Sequence, residues 1–344
     1  MKPLRVALVG LGYWGPNLVR VLHELREADV QVICDLDEKR LQRIATRYPA
    51  IHRTTSFDEL LAAPDIDAVV IATPVATHAA LSSAALRAGK HVFVEKPIAA
   101  SSVAARDLVN LAVESRLTLM TGHTFVYSPP VNFVRDLIRS GELGDIYFIS
   151  TSRVNLGLHQ PDVSVVWDLG PHDFSILQYW LEETPSRVSA VGRGCILPDT
   201  PDVAFISLQY PGGTVAHVEL SWLAPSKLRR TTIVGSEKMV VYDDTSNEPI
   251  RVYDSGVSIP DPTTYGEYRL TYRSGDIVSP RVDPAEPLAL ELADFCAAVL
   301  DGRPPRSSNE LAIGVVRTIE AVEQSLIVGG APTEIPLTDS APRS

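Results

Sequence analysis

The sequence predicts an α/β fold: an N-terminal Rossmann domain with a doubly wound parallel sheet, then a C-terminal α+β domain with a mostly antiparallel open sheet. In the first third of the chain, short apolar runs alternate with segments of helical spacing, which is typical of parallel strands joined by crossover helices. Later, strand-like runs follow one another through short turns such as Tyr210-Pro211-Gly212-Gly213, which indicates antiparallel pairing. We therefore place the domains at residues 1–122 and 123–337.

Length, charge and cysteine content exclude several classes of protein. A chain of 344 residues is long enough for two domains, since one domain takes roughly 150 residues. The net charge of −11 argues against nucleic acid or an anionic membrane as a partner, because both attract basic surfaces. The three scattered cysteines lack metal-ligand spacing, so we expect neither disulfides nor a metal. The sequence contains no uninterrupted run of about 18 apolar residues, so no membrane span is predicted. Together with the scattered cysteines, this leads us to expect a cytoplasmic protein.

The first βαβ unit contains a glycine-rich turn. The apolar run Arg5–Val9, which is too short for a signal peptide, predicts a buried strand, and a helical pattern extends from Pro16 to about Ala28. Between them lies Gly10-Leu11-Gly12-Tyr13-Trp14-Gly15, which has the pattern G-x-G-x-x-G. In this context the glycines permit a tight turn and close backbone approach, while the helix N-terminus receives a pyrophosphate. The segment therefore predicts a dinucleotide-binding turn.

The next strand, Val30–Cys34, ends at an acidic residue. Asp35 lies 20 residues beyond Gly15. A carboxylate at this offset accepts hydrogen bonds from the adenosine ribose hydroxyls and repels a 2′-phosphate. We therefore expect NAD rather than NADP as the cofactor.

The alternation of strands and helices continues to about residue 122. Strands are predicted at Ile51–Thr54, Asp67–Thr73, His91–Val94 and Leu117–Thr121, and helices from Ser56 (a capping box with Glu59) to Leu61, over Thr77–Ala88 before Gly89, and over Ser101–Ser115. Ligands of such sheets bind at the carboxyl ends of the strands, where Gly10, Asp35, Thr73, Glu95 and Gly122 fall.

The second domain is predicted to contain shorter strands and several helices. Strands are expected near Ile146–Val154, Val188–Gly194, Val203–Tyr210, Gly213–Trp222 and Arg229–Val234, with others up to Tyr272, and helices over Pro130–Ser140, Pro287–Leu300 and Ser308–Val328, before an unstructured tail from Thr338. One face of this open sheet should expose the apolar side chains of Val203, Phe205, Val215, Val218 and Leu220. We expect a homodimer or homotetramer that covers this face.

The stretch from Trp167 to Asp173 contains an acid–base candidate. Gly170 and Pro171 predict the end of an extended segment and the start of a helix, since proline suits a first helical position. His172 would then lie in the first turn, where the helix N-terminus favours a neutral ring that accepts a proton. Asp168, four residues earlier, would orient the ring or hold a substrate hydroxyl. The alternative is that His172 only caps a helix.

Four motifs together show a resemblance to a known family. They are the glycine-rich turn, Thr73-Pro74-Val75-Ala76-Thr77-His78, Ala88-Gly89-Lys90-His91-Val92-Phe93-Val94-Glu95-Lys96-Pro97, and Asp168-Leu169-Gly170-Pro171-His172-Asp173. With them the chain resembles, over nearly its whole length, the Gfo/Idh/MocA family of NAD(P)-dependent oxidoreductases. The segments Gly122–Pro129 and Arg153–Gly157 are similar to the branch that oxidises sugar nucleotides, such as the UDP-N-acetylglucosaminuronate 3-dehydrogenases.

The resemblance implies a role for each matching residue. Lys96 would hydrogen-bond the reacting oxygen and the nicotinamide ribose, His172 would act as acid–base, and Asp168 would bind substrate. Thr73, Pro74, His78 and Glu95 would line the cofactor, and Arg153 and Asn155 would contact the substrate. The chemistry of alcohol oxidation independently favours a neutral imidazole paired with a cation near the developing negative oxygen.

Three functions agree with these patterns. The first is an NAD-dependent dehydrogenase that acts on a carbohydrate secondary alcohol, such as C3 of a sugar nucleotide. The second is an inositol or free-aldose dehydrogenase. The third is a dinucleotide-sensing module without turnover, which the presence of both Lys96 and His172 disfavours.

Overall fold

The structure is a computed structural model that describes residues 2–157, 159, 163–258 and 270–336. The chain forms two compact units: residues 1–128 with 285–317 make unit 1, and residues 129–284 with 318–344 make unit 2. The sequence analysis placed the boundary near residue 122 and assigned residues 285–317 to the second domain. In the structure this segment instead packs with the N-terminal unit, because its helix buries apolar residues such as Leu292 and Phe295 there.

Unit 1 is built on a six-stranded parallel sheet. Its strands are β1 (Leu4–Val9), β2 (Ala28–Cys34), β3 (His52–Thr54), β4 (Ala68–Ile71), β5 (His91–Glu95) and β6 (Leu119–Gly122), in the order β3-β2-β1-β4-β5-β6. The central strands β1, β4 and β5 are almost completely buried, as their continuous apolar sequences require. This confirms the predicted doubly wound sheet.

Helices connect these strands. They are α1 (Gly15–Glu24), α2 (Glu38–Arg47), α3 (Phe57–Ala62), α4 (Val75–Arg87) and α5 (Ser102–Ser115), followed by a 3₁₀ turn (Thr124–Tyr127) and, much later, α8 (Pro287–Asp301). Ser56 accepts a hydrogen bond from the Glu59 N–H, as the capping pattern predicts. Helix α1 ends four residues earlier than predicted, and α2 was not predicted at all.

Unit 2 contains a nine-stranded sheet. Its strands are β7 (Ile146–Leu156), β8 (Arg187–Arg193), β9 (Val203–Gln209), β10 (Val215–Ser221), β11 (Leu223–Gly235), β12 (Met239–Asp243), β13 (Ile250–Ser258), β14 (Thr271–Val278) and β15 (Thr333–Glu334), in the order β14-β13-β12-β11-β7-β10-β9-β8-β15. Of the neighbouring strands, β7 and β10 pair in parallel and the others pair antiparallel. This confirms the prediction of a mostly antiparallel sheet. Two predicted regions lie outside the described residues: residues 259–269, which fall among the late strands, and the tail from Thr338.

Helices α6 (Pro129–Arg139) and α7 (Val165–Leu181) cover one face of this sheet, and α9 (Asn309–Ile327) contains the boundary between the units. The Trp180 Nε1–H donates to the Val131 carbonyl at 2.8 Å and joins α7 to α6. Along β10 the side chains alternate, so that Val218 and Leu220 are fully buried. The prediction that these two residues lie on the open face is therefore wrong.

The open face is lined by the alternate set of side chains. Phe205 and Val215 remain 42% and 47% exposed, as predicted, while Val203 is half-buried. The exposed side chains of Phe148 and Val191 lie beside them, because Phe148 pairs with Val215 and Val191 pairs with Phe205 across neighbouring strands.

Candidate active site

The glycine-rich turn joins β1 to α1, and its three glycines meet different constraints. Gly10 has φ +93°, and a Cβ there would lie 2.5 Å from the Ala72 carbonyl oxygen. A Cβ on Gly15 would lie 2.1 Å from the Gly10 carbonyl oxygen. At Gly12 the nearest atom is 4.0 Å away, on Arg40. Two glycines therefore permit the tight strand–helix turn, while the third leaves open space where a ligand can approach the backbone.

The two aromatic side chains of this turn face solvent. Tyr13 is 83% exposed and Trp14 is 42% exposed, and their rings meet edge to face. Pro16 occupies the beginning of α1, where a missing N–H is harmless, and the free N–H groups of this end attract an anion. The turn, the open side of Gly12 and this helix end together fit a dinucleotide pyrophosphate.

Asp35 follows β2 and lies next to the turn. It is 9% exposed; its Oδ2 accepts the Leu11 N–H at 2.6 Å and its Oδ1 accepts the Asp37 N–H at 2.8 Å. The Arg40 guanidinium lies 3.7 Å from Oδ2. Asp35 thus stabilises the turn in addition to any contact with a ribose, and Arg40 is a nearby cation that the sequence analysis missed.

Two backbone carbonyls hold the ring of His78. Its Nδ1 lies 2.8 Å from the Pro97 carbonyl oxygen and its Nε2 lies 2.8 Å from that of Thr73. Burial lowers the pKa of His78 more strongly than the two carbonyls raise it, so the neutral ring donates to one of them. His78 is 1% exposed and connects the ends of β4 and β5, and the cofactor contact that the resemblance implies for it stays a prediction. Pro74 precedes α4 at the same strand end.

Glu95 and Lys96 lie at the end of β5, before the cis peptide of Pro97. Glu95 is 8% exposed and its Oε2 accepts the Lys96 N–H at 3.3 Å, whereas Lys96 is half-buried. Burial raises the pKa of Glu95 to about 7, although the Lys96 charge acts in the opposite direction. A Cβ on Gly122 would lie 3.2 Å from Glu95 Oε2, so glycine permits the close passage of β6.

Two further buried groups complete this part of unit 1, and the sequence analysis gave neither of them a role. His123 is 1% exposed, and burial together with the Lys96 charge lowers its pKa to about 3. Glu291 of α8 is fully buried and accepts a hydrogen bond from the Thr124 hydroxyl at 2.8 Å. No local sequence pattern predicts that Glu291 is buried in this part of unit 1, because it follows Glu95 by almost 200 residues in the chain.

Asp168 and His172 both lie on helix α7 of unit 2. This helix begins after Ser164 and contains Pro171 in its interior, so the predicted helix start at Pro171 is wrong. The Ser164 hydroxyl accepts the Trp167 N–H and caps the apolar run that follows, which lets the helix begin a turn and a half earlier. Asp168, not His172, therefore occupies the first turn, and the helix N-terminus gives no reason for a neutral His172.

The spacing of four residues places Asp168 and His172 on one face of α7. Both side chains are half-buried. Trp222 donates its Nε1–H to Asp168 Oδ2 at 3.1 Å, which fixes the carboxylate. The face can therefore offer a carboxylate and an imidazole to the same ligand.

Arg153 and Asp173 form a buried ion pair. Their side chains are 5% and 3% exposed, and Arg153 Nε donates to Asp173 Oδ2 at 2.6 Å. The Thr151 hydroxyl donates to Asp173 Oδ1 at 3.0 Å. The pair joins β7 to α7, so Arg153 supports the helix, and the substrate contact that the resemblance implies for Arg153 stays a prediction. Asn155, further along β7, is half-buried.

Within the described part of the chain, no three His, Cys, Asp or Glu side chains converge on a point that would hold a metal ion. Among the described helices, none combines the length and apolar character that a bilayer crossing requires.

A parallel sheet with a glycine-rich strand–helix turn, followed by a unit with a mostly antiparallel sheet, is an arrangement typical of two-domain dinucleotide-binding proteins. Two family models match the chain: the oxidoreductase family with an NAD-binding Rossmann fold, over residues 4–123, and the GFO/IDH/MocA C-terminal domain, over residues 131–241. Between them the matches cover more than half of the sequence. The chain belongs to the Gfo/Idh/MocA family.

The chain is similar to relatives whose names describe different reactions. The chain is 27% identical over 310 residues to UDP-N-acetylglucosamine 3-dehydrogenase of Acidithiobacillus ferrooxidans, covering 88% of this chain and 91% of that protein. It is 28% identical over 232 residues to 2,7-anhydro-N-acetylneuraminate hydratase of Escherichia coli, covering 63% of this chain and only 61% of that protein. The crystal structure of GenD2 from gentamicin A biosynthesis, in complex with NAD, has a TM-score of 0.82 at 25% identity and covers 98% of this chain and 97% of that one.

Proposed function

We propose that the protein is an NAD-dependent dehydrogenase that transfers hydride between a carbohydrate secondary alcohol and nicotinamide. The preferred substrate class is a sugar nucleotide, oxidised at a ring carbinol such as C3. The observation that carries the proposal is the presence of Glu95-Lys96 at the carboxyl edge of a dinucleotide-type sheet, together with Asp168 and His172 on one helix face.

Each of these side chains has a separate proposed task. When bound, the dinucleotide supplies the hydride acceptor. His172 takes the hydroxyl proton as the carbonyl forms, which is the usual task of a general base. The ammonium group of Lys96 stabilises the negative charge that develops on the reacting oxygen. Asp168, fixed by Trp222, accepts a hydrogen bond from a substrate hydroxyl.

The preference for NAD rests on Asp35. Its carboxylate lies beside the glycine-rich turn and retains lone pairs after it has accepted the Leu11 and Asp37 N–H groups. These lone pairs suit the hydroxyls of an adenosine ribose, and the negative charge opposes a 2′-phosphate.

The preference for a sugar nucleotide rests on similarity. The UDP-N-acetylglucosamine 3-dehydrogenase matches along 88% of this chain, and the segments Gly122–Pro129 and Arg153–Gly157 resemble that branch. Specificity also depends on residues between Asn155 and Val166, of which residues 158 and 160–162 lie outside the described ranges.

The proposal is tested by following NAD reduction at the nicotinamide absorbance with a panel of UDP- and dTDP-sugars, inositols and free aldoses. We expect turnover with a sugar nucleotide and a slower rate when NADP replaces NAD. Faster reduction with an inositol or a free aldose would support the second candidate function. Tight NAD binding without reduction by any alcohol of the panel would instead support a dinucleotide sensor.

A further inference from the structure

Two acidic residues of helix α8 in unit 1, Glu291 and Asp294, have opposite surroundings. Asp294 accepts hydrogen bonds from the Tyr127 hydroxyl, the Arg303 guanidinium and the Arg306 N–H, at 2.6 to 2.8 Å. This is the set of partners that stabilises an ionised carboxylate, and the pKa of Asp294 is correspondingly lowered against the effect of burial. Asp294 is therefore an ordinary charged residue that holds α8 against the 3₁₀ turn.

Glu291, one turn earlier on the same helix, has a much poorer set of hydrogen-bond partners. Its side chain is fully buried; the Thr124 hydroxyl bonds to Oε2, and Oε1 has no hydrogen-bond partner among the described residues. A buried carboxylate with a single neutral donor would keep its charge at a large energetic cost, whereas the neutral acid would not. The geometry therefore favours a protonated Glu291.

The charges around Glu291 favour the same state. Glu95 at the end of β5 and Asp294 on α8 both raise the pKa of Glu291 beyond the large effect of burial, and Thr124 alone lowers it. Lys96, in contrast, lowers the pKa of Glu95. Of the two buried glutamates, Glu95 is thus the one that ionises first, since two carboxylates in one apolar environment do not both carry charge.

The remaining groups near this pair are neutral or belong to other contacts. His123, which precedes Thr124, is neutral, and both of its ring nitrogens lack hydrogen-bond partners among the described residues. The Tyr127 hydroxyl donates to Asp294. On the side of α8 that packs against α1, the charged contact joins Arg20 to Glu286. None of these groups supplies a cation to Glu291.

We propose that Glu291 is a positioning residue for Lys96: it stays protonated in the folded protein, so that Glu95 alone carries one negative charge beside the lysine. A single carboxylate balances the ammonium group of Lys96, whereas a second would add an excess negative charge where the reacting oxygen becomes negative. Thr124 and the passage of β6 past Glu95 at Gly122 keep both carboxyl groups at this strand end. This inference deepens the proposed function and rests on it only for the effect on turnover.

The protonation state can be measured without any substrate. The infrared band of protonated carboxyl groups near pH 7 should be weaker in Glu291→Gln than in the unmodified protein, since the amide cannot give this band. The part of the band that comes from Glu95, whose pKa is about 7, should remain in the variant and disappear by about pH 9. Glu310→Gln removes a carboxylate of α9 that is paired with Arg106 and 72% exposed, and should leave the band in place. A band of equal intensity in Glu291→Gln and in the unmodified protein would overturn the proposal.

The pH dependence of the melting temperature gives a second test, because the raised pKa of Glu291 fixes the direction of the change. The folded-state pKa of Glu291 is raised above its unfolded value, so its contribution to stability is complete at acidic pH and is lost as pH rises through the folded pKa. Melting temperatures measured from about pH 5 to about pH 9 should therefore shift in favour of Glu291→Gln over the unmodified protein as pH increases. A difference that does not vary with pH, as expected for Glu310→Gln, would contradict a buried proton.

Turnover tests the link to Lys96. We expect Glu291→Gln, which keeps a neutral hydrogen-bonding group, to retain about tenfold more turnover than Glu291→Ala, with the difference in kcat rather than in KM. Glu291→Gln should also extend activity to higher pH, because it cannot ionise. Equal turnover of the two variants, or an unchanged alkaline limb in Glu291→Gln, would show that Glu291 only fills space. A protein without dehydrogenase activity would refute the proposed function, and the infrared and melting measurements would still decide the state of Glu291.

Discussion

At the scale of single residues, His172 is proposed to move a proton. Replacement by Asn keeps the size and polarity of the side chain but removes the base, so turnover should fall roughly a hundredfold or more while NAD binding remains. Steady-state rates and a fluorescence titration with NAD check the two parts. His23→Asn is the matched control, since His23 lies exposed in the last turn of α1. Normal turnover in His172→Asn would return this residue to a structural role in α7.

The cation of Lys96 is proposed to act on the oxygen instead of the proton. Lys96→Met keeps most of the volume and removes the charge, so it should lower kcat by a factor of about 100 to 1,000. Because the charge is needed chiefly in the transition state, we expect a smaller change in KM. A variant that changes KM alone would mean that Lys96 only binds ligand.

Asp35 is the residue on which cofactor choice depends. Asp35→Ser should weaken NAD and admit NADP, because it removes the carboxylate that opposes a 2′-phosphate and leaves Arg40 close by. Adding Arg40→Ala should then abolish the gain for NADP. Asp35→Asn, which keeps an acceptor oxygen for the Leu11 N–H, separates loss of charge from loosening of the turn. Tighter binding of NADP than NAD by the unmodified protein would contradict the proposed role.

At the scale of elements, α7 depends on its ion pair with β7. Asp173→Asn would leave Arg153 buried without its counter-charge, and we expect it to lower the free energy of unfolding by about 3 to 5 kcal/mol. Urea denaturation measures this change. Glu334→Gln, in the exposed pair with Arg187, should change it by less than about 1 kcal/mol. The same helix carries Asp168 and His172, so turnover should fall below what the unfolded fraction explains.

A double variant of this pair separates charge from packing. Replacing Arg153 and Asp173 together by Met and Leu removes both buried charges and should recover part of the stability lost in Asp173→Asn. A double variant less stable than the single one would show that apolar side chains cannot replace the contacts of the pair.

At the scale of the whole molecule, we propose that two or four copies associate through the open face of the nine-stranded sheet. Phe205, Val215 and Val191 lie exposed there, and an apolar face of this kind is usually covered. Light scattering at micromolar concentration should give a mass of at least twice 37.4 kDa. Val215→Asp should lower this mass, whereas Val113→Asp, at an exposed apolar position of α5, should not. A monomeric mass for the unmodified protein would contradict the proposal.

Local patterns in the sequence were sufficient for the parallel sheet, the glycine-rich turn and the mostly antiparallel second sheet. Each depends on neighbouring residues: a buried strand needs a continuous apolar run, and the turn needs glycine where φ is positive or a Cβ would collide. The cap at Ser56 is of the same kind.

Tertiary structure decided what depends on partners far away in the chain. Pro171 lies inside α7 because Ser164 and the packing of the apolar run outweigh the local signal of Gly170-Pro171. Arg153 pairs with Asp173, and Glu291 contacts Thr124, only when distant segments pack together. Strand register likewise decided that Val218 and Leu220 are buried, since alternate residues of a strand face opposite sides. The sequence by itself determined the family of fold and most of the candidate side chains, whereas burial and pairing between distant segments determined which contacts those side chains make.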